Sequence, residues 1–267
     1  MVADRLGPQR IQLESLAAHA AIIGGRPAYG PRFASLAFIQ DERGDVVGEC
    51  TGTVVAPNAV LTAAHCVQSL LTGNGYPSSG FSVATDAVDL AKPTVQESRV
   101  SEVHSDPAFD DVTGADDAAL LVLATPTPAP PIALDAKRAP VRGTTGYIAG
   151  WGVTSPASHR LPSQLRRAAT IVQGATWCEM HVPRYSPRSE ICAIDPPRYA
   201  TGPCRGDSGG PLLVSRAHGT GAVEVGIVSR GSPTCSTEHA AVFTSVRAVD
   251  TWITRTLAAI RTVRPNG

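Results

Sequence analysis

The run Thr125-Pro126-Thr127-Pro128-Ala129-Pro130-Pro131 divides the chain and limits what either side can become. Its four prolines offer no backbone N–H, so the stretch cannot join the interior of a sheet or a helix and reads as an inter-domain linker. Before it, short β-forming runs alternate with turns at 35–39, 52–55, 59–62, 95–103 and 118–123, with Ala56-Pro57-Asn58 as a hairpin turn. After it the same pattern returns at 147–149, 166–172, 212–214, 223–229 and 241–244. Two all-β halves follow. The C-terminus departs from this, because Val249, Trp252, Ile253, Leu257 and Ile260 recur at helical spacing with Asp250 near the start, which predicts an amphipathic helix in which Trp252 packs. Residues 1–21 have mixed polarity and little core pattern and read as a leader or propeptide; order resumes at Ile22-Ile23-Gly24-Gly25.

Composition narrows the functional classes. With 267 residues, 43% of them hydrophobic, the chain can bury one large core or two small ones. Lys and Arg number 23 and Asp and Glu also 23, with no basic block, so the electrostatic footprint of a nucleic-acid or anionic-membrane binder is missing. No run reaches the roughly 18 apolar residues of a membrane span. Arginine supplies every basic residue except Lys92 and Lys137, a bias expected of a GC-rich, bacterial genome. Six cysteines (Cys50, Cys66, Cys178, Cys192, Cys204 and Cys235) form an even set without a CxxC, and the histidines are scattered, so disulfides are expected rather than zinc. Disulfides imply an oxidising compartment, and a secreted or extracytoplasmic monomer is expected. Ala18-His19-Ala20 resembles a cleavage triplet, but Gln12, Glu14 and Ser15 interrupt the apolar run a signal peptide needs, so either the start lies upstream or export takes another route.

The chemistry centres on Cys204-Arg205-Gly206-Asp207-Ser208-Gly209-Gly210-Pro211. Glycines on both sides present the Ser208 side chain and let an N–H on each side of Asp207 aim at one point, where an oxyanion would form. A Gly-rich surface turn is the commoner fate of such a string, and the eight-residue context argues against it. A serine hydroxyl needs a base near pKa 7 within reach. His65 in Leu61-Thr62-Ala63-Ala64-His65-Cys66 follows a predicted strand, whereas His104, His159, His181, His218 and His239 read as exposed or structural. The imidazole needs a buried carboxylate to orient it. Asp117 opens the apolar run Ala118-Ala119-Leu120-Leu121 and must therefore be buried or paired. Its neighbour Asp116 is expected to face solvent.

These motifs, with Gly150-Trp151-Gly152 and Ser229-Arg230-Gly231, resemble in order and spacing the chymotrypsin family of serine proteases over about residues 22–263. The resemblance implies two six-stranded antiparallel β-barrels, at 22–128 and 129–263, with the active site between them and a C-terminal α-helix. It implies a catalytic triad of His65, Asp117 and Ser208, with an oxyanion hole made by the N–H groups of Gly206 and Ser208. It implies the bridges Cys50–Cys66, Cys178–Cys192 and Cys204–Cys235. It implies activation by cleavage before Ile22, whose freed amine would pair with Asp207; the bond Ala21-Ile22 has no Lys or Arg before it, which speaks against a trypsin-like activator. The specificity pocket would be formed by Gly202, Pro203, Ser229, Gly231 and Ala241. Gly202 stands where trypsin-like members carry an acid, so neutral, apolar residues are expected before the scissile bond. Arg230 replaces the usual Trp, and with Arg205 it is either solvated or favours acidic groups in the extended substrate. The expected partners are protein or peptide substrates and a protein inhibitor. No cofactor is implied, and a calcium site around 70–80 has no legible acidic ligand set. The competing reading is a non-catalytic homologue that binds a partner through the cleft. An α/β-hydrolase is excluded because its nucleophile precedes Asp and His.

Overall fold

The computed structural model describes residues 22–42, 48–68, 79–216 and 221–262. The leader at 1–21 and nearly all of the 70–80 segment lie outside the described residues. The two-residue β1 (Arg26–Pro27) precedes a closed antiparallel barrel of β2 (Leu36–Asp41), β3 (Gly48–Ala56), β4 (Ala59–Thr62), β5 (Phe81–Thr85), β6 (Gln96–Ser105) and β7 (Ala119–Leu123), in the order β2-β3-β4-β7-β6-β5. After the short β8 (Ala133–Leu134), a second barrel is built from β9 (Thr145–Gly150), β10 (Arg166–Val172), β11 (Glu190–Ile194), β12 (Pro211–Ser215), β13 (Ala222–Arg230) and β14 (Ala241–Ser245). Its order is β10-β11-β14-β13-β12-β9, and β9 pairs back with β10 to close it. Closure removes the exposed edges that strands this short could not protect. Two helices complete the fold, α1 (Ala175–His181) and α2 (Val246–Thr262). Among the described residues no helix is long and apolar enough to cross a membrane.

The unbroken apolar run of β7 has a period-two explanation. Ala119, Leu121 and Leu123 point into the first barrel with Val54, Val60 and Phe81, while Ala118 and Leu120 face the other way, against Leu61, Ile227 of the second barrel and Val249 and Ile253 of α2. Both faces are buried, so neither can be polar. Trp252 and Leu257 pack partly buried on the same cluster, tying the C-terminal helix to both barrels. A further joint is made by Phe38 and Trp151, whose rings meet edge to face with centroids 5.9 Å apart. The proline run crosses between the barrels: Ala129 is buried in the first core, Thr127 N–H donates to Pro57 O at 2.8 Å and Ile132 N–H to Val54 O at 2.8 Å.

The seam between the barrels also holds a carboxyl. Glu224 is fully buried and accepts a hydrogen bond from Thr53 Oγ1 at 2.6 Å, while its other oxygen has no partner among the described residues. Burial pushes its pKa up to about 8, so at neutral pH the group is held mostly protonated. Three disulfides join Cys50 to Cys66, Cys178 to Cys192 and Cys204 to Cys235, over separations of 16, 14 and 31 residues. On the loop-entropy account each constrains the unfolded chain by about 3–4 kcal/mol.

The elements predicted from sequence lack the two-residue β1 and β8 as well as β5, β11 and α1. In β5 the residues between Phe81, Val83 and Thr85 are Ser82 and Ala84, which carry little β signal, yet all five are buried. β11 opens on Glu190, a residue that reads as surface until its partner is known.

Candidate active site

His65 sits in a single 3₁₀ turn (Ala64–Cys66) directly after β4, and the Cys66–Cys50 disulfide ties that turn to β3. The backbone N–H of His65 donates to Asp117 Oδ1 at 2.9 Å, and His65 Nδ1 lies 2.7 Å from Asp117 Oδ2. Ser229 Oγ, from the second barrel, donates to the same Oδ2 at 2.7 Å. A carboxylate can only accept, so Nδ1 carries the proton and Nε2 is left as the basic atom of the ring. Asp117 is 1% exposed and the His65 side chain 36%, so the acid is shielded while the imidazole reaches the cleft. Asp116, expected to face solvent, is half-buried in a left-handed conformation (φ 52°), and burial, then the charge of Glu190, raises its pKa. The period-two argument fails there because Asp116 precedes the strand. Cys50, His65 and Cys66 lie close enough to suggest a metal cluster, but both sulfurs are spent in the disulfide.

The Ser208 turn is held from the first barrel. Thr51 N–H donates to Ser208 O at 2.8 Å and Thr51 Oγ1 donates to Gly206 O at 2.8 Å. Gly209 has φ 77°, and a Cβ on it would lie 2.0 Å from Thr62 Oγ1 and 2.9 Å from Ala63 N. Only glycine lets the serine turn press against the segment that delivers His65. Within the turn, Asp207 N–H donates to Cys204 O, Gly209 N–H to Val228 O and Gly210 N–H to Asp207 O, whereas those of Arg205, Gly206 and Ser208 have no acceptor among the described residues. Ser208 Oγ makes no hydrogen bond to His65 among the described residues; in unliganded sites such contacts are often long.

Asp207 is 1% exposed and is held by backbone donors, Gly152 N–H at 2.8 Å and Cys204 N–H at 2.9 Å. Burial raises its pKa to about 7 against the pull of those two bonds. A Cβ on Gly152 would lie 2.4 Å from the Asp207 carboxyl carbon, which explains why that motif ends in glycine. Ile22 is fully buried in the second barrel's core, and Ile23 exchanges two backbone hydrogen bonds with Gly202, at 3.0 and 3.3 Å.

A shielded Asp–His pair beside a presented serine, between two closed barrels, is accompanied by a match of the Trypsin family model to residues 22–253. The chain belongs to the trypsin family. Within it, the chain is 32% identical over 170 residues to Trypsin of Saccharopolyspora erythraea, covering 62% of this chain and 70% of that protein. It is 30% identical over 247 residues to Granzyme-like protein 1 of Rattus norvegicus, covering 89% and 92%. A solved structure described as "Structure of GrC" aligns with a TM-score of 0.75 at 28% identity, over 89% of this chain and all (100%) of that one. The two six-stranded barrels and the C-terminal helix are those of the trypsin-like fold.

The residues expected to form the specificity pocket are divided between two spaces. Pro203, Ser208, Ser229 and Gly231 line an open cavity of about 210 Å³ with Arg205 and Arg230 at its wall and no acid. Gly202 and Ala241 line a separate recess of only about 10 Å³, which Pro203, Gly231 and His239 share. His239, read from sequence as exposed or structural, is thus exposed and also borders the recess. Both arginines are bound within the chain, Arg205 while still exposed to solvent and Arg230 half-buried. Arg205 donates to Pro156 O at 3.0 Å and Ser158 O at 2.9 Å. Arg230 forms a two-pronged ion pair with Glu190, whose side chain is 1% exposed, and Glu190 also accepts from Ser186 N–H at 2.8 Å. Thr51 and Glu190 escaped the sequence reading because their roles lie in contacts 155 and 40 residues away along the chain.

Proposed function

We propose that this trypsin-family chain is a secreted serine endopeptidase acting through His65, Asp117 and Ser208. The observation that carries the reading is the wiring of Asp117: with its oxygens held by His65 and Ser229, the imidazole has a fixed tautomer with Nε2 as the base. Ser208 Oγ attacks the scissile carbonyl while Nε2 takes its proton, and Asp117 stabilises the resulting imidazolium. The unpartnered N–H groups of Gly206 and Ser208 receive the oxyanion, each donor worth about 10²–10³ in rate. The proton then passes to the leaving amine, and water releases the acyl group by the same steps in reverse.

The acid-free cavity of about 210 Å³ beside Ser208 supports cleavage after neutral, apolar residues. Cleavage before Ile22 would free an amine to neutralise the buried Asp207 carboxylate and so order the Ser208 turn. The support for this step is that Asp207, though buried, has only backbone donors among the described residues. The domains are assigned as 22–128 and 129–263, and the partners as protein or peptide substrates and a protein inhibitor. The test is to incubate residues 22–267 with a diverse peptide library and with a fluorophosphonate. Labelling confined to Ser208 and cuts after Ala, Val or Leu are expected. Fastest cleavage after Arg or Lys would overturn the pocket assignment, and an unlabelled Ser208 would make the chain a non-catalytic binder.

A further inference from the structure

The proline run has a second consequence, away from the cleft. Pro130, Pro131 and Ile132 form one wall of a groove of about 660 Å³, with Phe33 and Ala222 beside them, rimmed by Arg32, Arg167 and Arg216. Arg32 and Arg167 are set over the same ring, their guanidinium carbons 5.6 and 5.4 Å from the centroid of Tyr147, within the range of a cation–π contact. Arg216 leaves the end of β12, where its backbone N–H donates to Gly221 O at 3.3 Å. No acidic side chain lines the groove, and none of the three arginines has a carboxylate partner among the described residues. Three like charges around an apolar floor are thus positioned and left uncompensated.

The groove and the cleft lie at opposite ends of the same strands. Ala222 begins β13 and Ser229 stands near its other end, so at ~3.4 Å per residue the two sites are separated by roughly 20–25 Å. An occupant of the groove therefore leaves the cleft open. The occupant's chemistry follows from the lining: carboxylates for the arginine rim and apolar side chains for the proline and phenylalanine floor. Residues 1–21 fit poorly, because Asp4 and Glu14 are balanced by Arg5 and Arg10. We propose that this groove is a docking site for an acidic, apolar peptide segment of a partner protein, separate from the catalytic cleft.

The test uses the full chain carrying Ser208→Ala, so that binding is read without cleavage and independently of whether the chain is a protease. A fluorescent peptide alternating glutamate with leucine or phenylalanine is titrated by anisotropy, beside a twin with glutamine for glutamate. Saturable binding is expected, weakened by salt, and roughly tenfold weaker both for the glutamine twin and for the protein carrying Arg32→Glu and Arg216→Glu. Because both arginines are exposed, thermal melting should show that variant folded, and its turnover of a small chromogenic peptide, measured with Ser208 intact, should be unchanged. The half-buried Arg167→Gln offers an independent second variant. Equal binding by either variant, equal binding by the glutamine twin, or loss of binding when an inhibitor fills the cleft would overturn the proposal. So would binding by residues 22–267 but not by the full chain, which would assign the groove to the leader. Binding of a sulfated oligosaccharide in place of the peptide, or a dimer in sedimentation that hides the groove, would do the same.

Discussion

The two halves of the site are built on different physical terms. The His65–Asp117 half is held by side-chain hydrogen bonds that satisfy one another: every donor meets an acceptor, and the acid is buried against groups that stabilise its charge. The Ser208 half is held by its backbone. Its carbonyls are anchored by Thr51, and among the described residues the N–H groups of Gly206 and Ser208 have no acceptor and the buried Asp207 has no cation. The first half is complete as it stands, whereas the second buries a carboxyl whose charge, under the proposed activation, the freed amine of Ile22 would balance. A site so divided can be switched on at one half while the other stays fixed.

The largest expected effect tests the completed half. Asp117→Asn should lower kcat about 10⁴-fold with little change in KM, the loss seen in the family's template enzymes when the imidazole takes the wrong tautomer. A modest loss would mean that Ser229 and the His65 backbone suffice to orient the ring.

Next comes the incomplete half. Cutting before Ile22 should raise kcat/KM by roughly 10²–10³, the worth of an ordered oxyanion donor; equal rates for residues 1–267 and 22–267 would remove the activation reading. The uncut chain should also show it in its pH dependence. Asp207 has a folded pKa near 7, above its ordinary value of 3.8, so the folded state binds this proton more tightly than the unfolded state. Its contribution is fully present below pH ~4 and is lost as pH rises through about 7. Melting temperature should therefore fall over that window, and more steeply in the parent than in Asp207→Asn. Glu224, pushed up to about 8, acts in the same direction in both proteins, so only the difference between them reports Asp207.

Arg230→Ala probes the joint between the halves, since Arg230 follows Ser229 on the strand that reaches Asp117. It strands the buried Glu190 carboxylate and should cost about 3 kcal/mol in denaturant unfolding; the double variant Arg230→Ala/Glu190→Gln should recover most of that. The smallest effect is expected of Thr51→Val, which keeps the N–H bond to Ser208 O and loses the hydroxyl bond to Gly206 O. A drop in kcat of up to roughly tenfold at constant KM would match one lost hydrogen bond, and an unchanged kcat would show that the Ser208 turn holds itself.

Much of this was legible in the sequence wherever the signal is local. The proline run, the strands at 59–62 and 166–172 and the glycines around Ser208 announce themselves because backbone geometry depends on a few neighbouring residues. β5 and β11 were not legible, because their burial comes from barrel closure rather than from their own alternation. Asp117 could be named from its place before an apolar run, but its partnership with Ser229 spans 112 residues. Arg230 is expected to be either solvated or turned to substrate, and Glu190 carries no signal; only the chain folding back over 40 residues makes them an ion pair.

By itself, then, the sequence determined the residue types the chemistry needs, their order along the chain and the β character of each half, since all three depend on short-range propensity and motif. The tertiary structure alone decided which charges are satisfied. Desolvation and pairing depend on what the second barrel brings against the first, and no stretch of either contains that information. For that reason the burial of Asp207 on backbone donors alone and the arginines set over Tyr147 emerged only once the barrels were closed and packed.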